Sequence, residues 1–556
     1  MTTVTEVLYQ ILQEEPDRLA LILQSPDGDQ AITYADLIRG ALGYANSLDG
    51  AGVRRNEPVI ILLQHGRPLI EAFFGAILYG AIPAIMPFLT QKLSPEHYRK
   101  SLAALIEITK PPVIITYPEF ADEVARARKE GDSVRSVILW TEVKPAAEIS
   151  WETLGGMNSE PEDIVLLQHS SGTTGLQKGV ALSHRSVLRQ LKAYAQAINM
   201  TCDDVVVSWL PLYHDMGLIA GFIMPILLRS KLVLISPFDW IRAPYRLLSA
   251  ISQYGGTLSW LPNFAYNFIT GKVRDRDIEN IDLSSWRAVI NCSEPMRWRS
   301  HEDFFSRFSG YGLKRQALAT CYAMAENVFA VTQGGIESSV VVDTIDRRAL
   351  LEDQIAVPAK GGNEVIKMLS AGQPIEGTSV RVLDADGVDL PDRHVGEIAL
   401  KGDCLLSGYY NRDDLTQKAF VDGWYITGDL GYLAGGELFV TGRMKELIIV
   451  GGKNVFPQDI EELAMEVEGV HPGRVVAFGL FTEDIGTEEI GVIAEVDVTE
   501  DGARLKIARE IRDHISRGSD VTARYVLTVN RGWLLKTSSG KIARGANRDK
   551  YLKESG

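Results

Sequence analysis

Cysteine is scarce: Cys202, Cys292, Cys321 and Cys404 are the only four in 556 residues. None form a CxxC pair and no histidine group has zinc-finger spacing. A disulfide framework and a structural zinc are therefore excluded, and a reducing, cytoplasmic setting is expected. Positive charge is also short. Lys and Arg number 57 against 72 Asp and Glu, a net charge of −15. Such a chain repels phosphate-rich partners overall, so nucleic acid and anionic membranes are not its expected partners. The N-terminus, Met1-Thr2-Thr3-Val4-Thr5-Glu6, has neither a basic start nor an apolar stretch, and no signal peptide is read there. One uncharged run, Ala72 to Leu89, is long enough to raise the question of a membrane span, but Gly80, Pro83 and Pro87 interrupt it. It reads instead as a buried helix (Pro68 to Tyr79), a stop at Gly80 and a core strand (Ile82 to Met86), with no stable membrane insertion.

What is present is ordinary globular material, 46% apolar and 23% charged, in a length that suggests three to four domains or subdomains. Short apolar runs alternate with helical patterns through the first two-thirds. Candidate strands are Pro58–Leu63, Val113–Thr116, Val137–Trp140, Ile164–His169, Val205–Leu210, Leu232–Ile235, Thr257–Leu261 and Ala288–Asn291. Several are apolar on both faces, as parallel strands covered by helices are. Helices at Pro95–Lys110 and Arg185–Ala197 fit between them, giving an α/β sheet protein built of βαβ units. After about Gly335 the strands shorten and turns such as Asp386-Gly387, Asp422-Gly423 and Gly435-Gly436 mark hairpins of a small β-rich part. Past Gly442 a helix (Gln458–Val467), strands (Arg474–Leu480, Gly491–Val496) and a helix (Arg504–Arg517) predict a small α+β domain of about a hundred residues. Residues 501–556 carry 13 Lys/Arg and 6 Asp/Glu, a tail of +7 on a body of −22. A basic end on an acidic body suggests a local task with an anion.

Three segments carry chemistry. His169-Ser170-Ser171-Gly172-Thr173-Thr174-Gly175-Leu176-Gln177-Lys178-Gly179 follows a strand and precedes a helix starting near Ser183. Its glycines admit backbone N–H groups to an anion, its four hydroxyls donate, and Lys178 neutralises charge, as a triphosphate requires. The GxxxxGK[ST] order of a Walker A loop is absent. Tyr425-Ile426-Thr427-Gly428-Asp429 sets an Asp in a tight Gly turn, where it can accept from a ribose diol. Lys536-Thr537-Ser538-Ser539-Gly540-Lys541-Ile542 presents a lysine from a small-residue loop.

In this order the three resemble the adenylate-forming superfamily of acyl-CoA synthetases, peptide-synthetase adenylation domains and luciferases, over nearly the whole chain. Cys321-Tyr322-Ala323-Met324-Ala325-Glu326 matches the family's aromatic-Gly-x-Thr-Glu motif, with Ala323 for the usual glycine and Ala325 for the usual hydroxyl residue. Trp209-Leu210-Pro211-Leu212-Tyr213-His214-Asp215-Met216-Gly217 matches its acyl-pocket segment, and Gly442-Arg443-Met444-Lys445-Glu446 its hinge. The resemblance implies ATP and Mg²⁺. Ser170, Ser171, Gly172, Thr173, Thr174, Gly175 and Lys178 would hold phosphates. Ser293, Tyr322, Ala323 and Met324 would line the nucleotide site, with Tyr322 on adenine. Asp429 would take the ribose hydroxyls with Arg443 nearby, and Glu326 the metal. His214 would lie beside the acyl carboxylate, Lys541 would bridge it to the α-phosphate, and Lys445 would be the pivot. The implied layout is an N-terminal adenylation domain (1–442), a hinge (443–447) and a mobile C-terminal domain (448–556).

The wording of Pro211 to Ile219 and of Leu261-Pro262-Asn263-Phe264-Ala265-Tyr266 resembles the fatty acyl-AMP ligases most. So does an extra segment near 340–365, running from Val340 to about Asn363, which in that branch restrains domain rotation. The resemblance implies that a fatty acid is activated to acyl-AMP, with release of pyrophosphate. The acyl group would then pass to the phosphopantetheine thiol of an acyl carrier protein or carrier domain. Arg504, Arg509, Arg512 and Arg517, at helical spacing, would offer the carrier a docking patch. Two alternatives stand beside this reading: an acyl-CoA synthetase, and a catalytically silent adenylate-binding homologue.

Overall fold

The computed structural model describes residues 2–26, 28–88, 95–151, 154–170, 178–359, 365–450, 453–482, 487–519, 521–537 and 541–555. The expected α/β class is what it shows. A nine-stranded sheet runs in the order Gln373–Pro374, Ala330–Gly334, Leu318–Ala323, Ala288–Asn291, Leu258–Leu261, Val205–Ser208, Lys231–Ile235, Leu19–Gln24, Gln30–Thr33. From Leu318–Ala323 to Leu19–Gln24 every pairing is parallel, and the strands on either side are antiparallel. A second, all-parallel sheet orders Ile82–Ile85, Pro58–Leu62, Val113–Thr116 and Ser136–Leu139. All five residues of Pro58–Leu62 are buried, as the two-sided apolar pattern requires.

The uncharged run from Ala72 resolves as read. Helix Arg67–Tyr79 is buried along nearly its whole length and stops at Gly80, whose φ of 88° is left-handed. A Cβ there would lie 3.1 Å from the backbone of Gly155 and Gly156, so the stop requires glycine. Among the described residues no helix is long and apolar enough to cross a membrane.

The β-rich part is an antiparallel sheet of Thr378–Leu383, Gly396–Gly402, Trp424–Ala434 and Phe420–Val421, with Glu437–Arg443 on Trp424–Ala434. Asp422 and Gly423, both at positive φ, make the two-residue turn expected from the Asp-Gly pair. Residues from Ile448 onward pack a core of their own around Ile460, Val475, Val492, Ile511 and Ile515. Its sheet pairs Val470–Thr482 antiparallel with Thr487–Val496, which runs parallel to Ala523–Val529. Helices Pro457–Met465 and Asp501–Gly518 cover it.

Of the stretch expected as an extra segment, residues 360–364 lie outside the described residues. Val342–Asp346 pairs antiparallel with Val365–Leu369, and a π-helical turn, Ala349–Asp353, stands between them. Ile345, Leu350 and Ala356 share a buried cluster with Tyr432, Phe439 and Phe456.

Candidate active site

The site lies where the β-rich part and the C-terminal part meet the ends of the large sheet. Strand Leu318–Ala323 ends in Tyr322 and Ala323, and the chain turns through the 3-10 segment Ala325–Asn327, which carries Glu326. Met324 is fixed by its N–H donating to the Phe329 carbonyl at 2.8 Å. Tyr322 is buried and its hydroxyl donates to Asp429 Oδ2 at 2.6 Å. Burial, and then the Asp429 charge, push this phenol up, so it stays a donor. Arg443 Nε donates to Asp429 Oδ1 at 3.0 Å. Asp429 stands within strand Trp424–Ala434, not in the free turn expected from Thr-Gly-Asp. Gly428, at φ 74°, makes a bulge where the pairing with Gly396–Gly402 shifts register, and the bulge aims Asp429 at Tyr322.

Glu326 accepts from the Tyr409 hydroxyl at 3.0 Å, and Tyr409 and Tyr425 share a hydrogen bond of 3.1 Å. Burial raises the Glu326 pKa against these bonds, with the Asp215 charge adding and the Arg443 charge opposing. Tyr409 was not legible from the sequence. It reaches the site because Gly408–Tyr409 pairs with Lys178–Ser183, an association no local pattern announces. The Lys178 ammonium sits 4.7 Å from the centre of the Tyr409 ring, the same side chain whose hydroxyl bonds Glu326.

The Gly-rich segment follows a strand and the helix begins at His184 as expected, but a further strand, Lys178–Ser183, stands between them. Ile164–Ser170 pairs antiparallel with Lys178–Ser183, so its ends form a hairpin neck, and Ser183 then caps helix His184–Ala197. Ser171, Gly172, Thr173, Thr174 and Gly175 lie outside the described residues, as does the Ser170 side chain. His169 adds no charge there: burial pushes its ring down to about 4.

Across the cleft, His214 Nδ1 lies 2.6 Å from Asp215 Oδ1, and the Met216 N–H donates to the same oxygen at 2.8 Å. Burial would raise Asp215, but the His214 charge and hydrogen bond, the Lys541 charge and the Met216 N–H together hold it below the usual range. Its carboxylate is thus already engaged by the protein, which leaves it poorly placed to hold a substrate amine. Lys541 Nζ reaches in from the C-terminal part and donates to the Ser293 carbonyl at 2.5 Å. Ser293 has φ 68°, a strained value for a serine, of the kind that gathers at functional sites. Trp209, Leu210, Pro211, His214, Met216, Pro262 and Lys541 line a narrow cleft. Behind it Trp209 stacks on Trp240, with ring centres 3.5 Å apart, and Phe264 meets both edge-on. Phe222, Ile223 and Trp260 are buried in the core.

Lys445 is exposed in the 3-10 turn Met444–Glu446, while its neighbour Glu446 is held by Arg544, which also bonds Glu461. The C-terminal part is tied to the large sheet's side by ion pairs. Arg297 bonds Asp459 and Glu462, each at 3.2 Å, and Arg299 bonds Glu466 at 3.2 Å. The expected arginine stripe is largely spent within the C-terminal part. Arg504 donates to the Val498 carbonyl and to Asn530, Arg512 to the carbonyls of Ala523 and Arg524, and Arg517 to that of Asp513. Of these only Arg512 faces strand Ala523–Val529, and Arg517 is exposed. Arg509 remains exposed.

A carboxylate and a lysine from opposite bodies, a Tyr-buttressed Asp and a lysine at a hairpin neck are what a site needs to hold a nucleotide against an acid. Comparison with known proteins agrees. The AMP-binding enzyme family matches residues 8–410. The medium-chain-fatty-acid–[acyl-carrier-protein] ligase JamA of Moorena producens is 32% identical, over 94% of this chain and 90% of its own. The long-chain-fatty-acid–AMP ligase FadD26 of Mycobacterium bovis is 29% identical, over 97% and 96%. A structure from a study of fatty acyl-adenylate ligases of E. coli and L. pneumophila superposes with a TM-score of 0.90 at 27% identity, covering 100% of this chain and 98% of that one.

Proposed function

The chain belongs to the AMP-binding enzyme family, and from that premise we propose that it activates a fatty acid with ATP and delivers the acyl group to the pantetheine thiol of a carrier protein. The observation that carries the reading is Lys541 reaching across from the C-terminal part to Ser293, beside His214 and Asp215. In the first step a carboxylate oxygen of the acid forms a bond to the α-phosphorus of ATP, and the bond to the β-phosphate oxygen breaks, giving acyl-AMP and pyrophosphate. Two anions must meet, and Lys541 is the positioned charge that lets them. It bridges the acid's carboxylate and the α-phosphate and does not act as a base. Lys178 and the Gly-rich segment from Ser170 to Gly175 serve the leaving phosphates. Tyr322 orients Asp429 toward the ribose hydroxyls, with Arg443 holding its other oxygen. Ala323, Met324 and the Ser293 backbone complete the nucleotide wall, and His214 faces the acyl carboxylate.

Glu326 fits Mg²⁺. It is a hard oxygen ligand with no ion-pair partner among the described residues, and there is no cluster of three metal-ligating side chains among them. One carboxylate plus phosphate oxygens is how Mg²⁺ is usually held. When bound, the ion supplies further screening of phosphate charge. In the second step the C-terminal domain (448–556) turns about the 443–447 hinge, with Lys445 as pivot. Lys541 leaves, and a thiolate attacks the acyl carbonyl as AMP departs. The layout of residues 1–442 as adenylation domain with the segment near 340–365 inserted in it belongs to this reading, as does a cytoplasmic setting, where the four free cysteines stay reduced. The engaged Asp215 and the apolar cleft favour a simple apolar acid over an amino acid. The test is acid-dependent pyrophosphate release with trapping of acyl-AMP, across straight-chain fatty acids and amino acids. Turnover with fatty acids alone supports the reading, and turnover with amino acids alone overturns it.

A further inference from the structure

The lysine that crosses into the site is carried by a hairpin whose neck is pinned by one buried amide. Asn547, in helix Arg544–Ser555, has no exposed surface. Its Oδ1 accepts from the Leu535 N–H at 2.8 Å, and its Nδ2 donates to the carbonyls of Leu535 at 2.8 Å and Ala543 at 2.9 Å. The two sides of the neck also bond directly. The Ala543 N–H donates to the Leu535 carbonyl at 3.0 Å, the Thr537 N–H to the Lys541 carbonyl at 2.7 Å, and Lys536 pairs with Ile542. Upstream, Glu495 Oε1, 1% exposed, accepts from the N–H groups of Gly532 and Leu534, both at 2.9 Å.

We propose that Asn547 is a positioning residue for adenylation, setting the reach of Lys541 through the hairpin neck. A buried amide is tolerated only with its bonds made, and this one makes them to both sides of the neck, two residues from Lys541. Its position in a helix passes the fixed geometry of the C-terminal core to a side chain that must meet a partner on another body. A charge contact in a reacting site loses most of its effect when displaced by about 1 Å, at a cost of about 10²-fold. Asn547 touches no reacting atom, and its contribution is confined to the step that uses Lys541. The inference rests on the reading of Lys541 given above.

The test compares Asn547→Asp, Asn547→Ala, Lys541→Ala and the double variant Asn547→Asp/Lys541→Ala in the full chain. Asp keeps the volume and the acceptor for Leu535 but cannot donate to the two carbonyls. Four quantities are read: acid-dependent pyrophosphate release, the KM for ATP, transfer from chemically prepared acyl-AMP to a holo-carrier protein, and thermal unfolding. Asn547→Asp is expected to lower adenylation kcat by about 10- to 100-fold, with the KM for ATP and the transfer step within about threefold of wild type. The double variant should be no slower than Lys541→Ala, because a residue acting only through Lys541 has nothing left to position. Unchanged adenylation, equal loss of both steps, effects that multiply in the double variant, or failure of both Asn547 variants to fold would each overturn the inference. Normal adenylation by Lys541→Ala would instead overturn the underlying reading. Impairment there with none in Asn547→Asp would sink the positioning role alone.

Discussion

Arg297→Gln should loosen the C-terminal part from the adenylation arrangement. Arg297 is fixed at its backbone, where its N–H donates to Asn263 Oδ1 at 3.1 Å and it caps helix Trp298–Phe308. Gln keeps that bond and removes only the charge that faces Asp459 and Glu462 at 3.2 Å each. Two unit charges about 4 Å apart attract by about 4 kcal/mol at an effective permittivity of about 20. A fully exposed pair nets under about 1 kcal/mol. The Arg297 side chain is 24% exposed and Asp459 18%, so the pair falls between these limits. About 1–2 kcal/mol for the arrangement shifts the balance of docked to undocked forms by about 5- to 30-fold. The assay is acid-dependent pyrophosphate release at about 50 and 500 mM salt, where screening shortens from above 10 Å to a few ångströms. Wild type should slow as salt rises, and Arg297→Gln should be slower at low salt and nearly insensitive to it. Wild-type rates in the variant, with an unchanged salt response, would refute the idea that these ion pairs hold the reactive arrangement.

Other outcomes follow from the same geometry. Lys541→Ala should cut acyl-AMP formation at least about 10²-fold while ATP binding, measured by calorimetry, changes little. Lys445→Pro fixes φ near −65° at the exposed residue proposed as the pivot, so adenylation should survive and transfer to a thiol should be lost. Glu326→Gln should abolish Mg²⁺-dependent turnover yet raise the thermal midpoint of the ligand-free protein at pH 8. The folded-state pKa of Glu326 lies above its unfolded value, so its charged form is penalised above that range, and the gain should vanish as pH falls below the unfolded value. Arg347 donates to the Gly518 carbonyl at 3.0 Å and joins the extra segment to the C-terminal part, so Arg347→Ala should raise acyl transfer to free CoA severalfold, followed by mass spectrometry. Deleting Asp343 to Asn363 is the poorer probe, because it strips Ile345, Leu350 and Ala356 from the cluster around Tyr432 and Phe439.

Much of this was legible in the sequence because the relevant signals are local. Two-sided apolar runs such as Pro58–Leu62 became parallel strands, and Gly80 ended a helix where only glycine fits. Tyr322, Glu326, Asp429, Arg443 and Lys541 come from four distant stretches, and motif order placed them in one site because each motif carries its own chemistry. What was not legible depends on pairing between distant segments. The strands flanking the Gly-rich segment, Ile164–Ser170 and Lys178–Ser183, pair with each other, an association that no local pattern announces. Tyr409 arrives by a two-residue strand, 83 positions from the carboxylate it bonds. Arg504 and Arg512 have the spacing of a docking stripe, but the Val498 carbonyl and the Asn530 side chain take the first guanidinium and carbonyls of strand Ala523–Val529 the second. Asn547 gave no sign at all, since nothing near it in the sequence distinguishes a buried crosslink from a surface amide.

The most direct measurement offers the enzyme its choice of acceptor. Purified protein is given a fatty acid, ATP and Mg²⁺, then equal concentrations of CoA and a holo-carrier protein, and the products are resolved by intact-mass and small-molecule mass spectrometry. The account predicts acyl-AMP before the acceptors are added, then acylated carrier with little acyl-CoA. Robust acyl-CoA with an unmodified carrier would contradict it and make the protein an acyl-CoA synthetase.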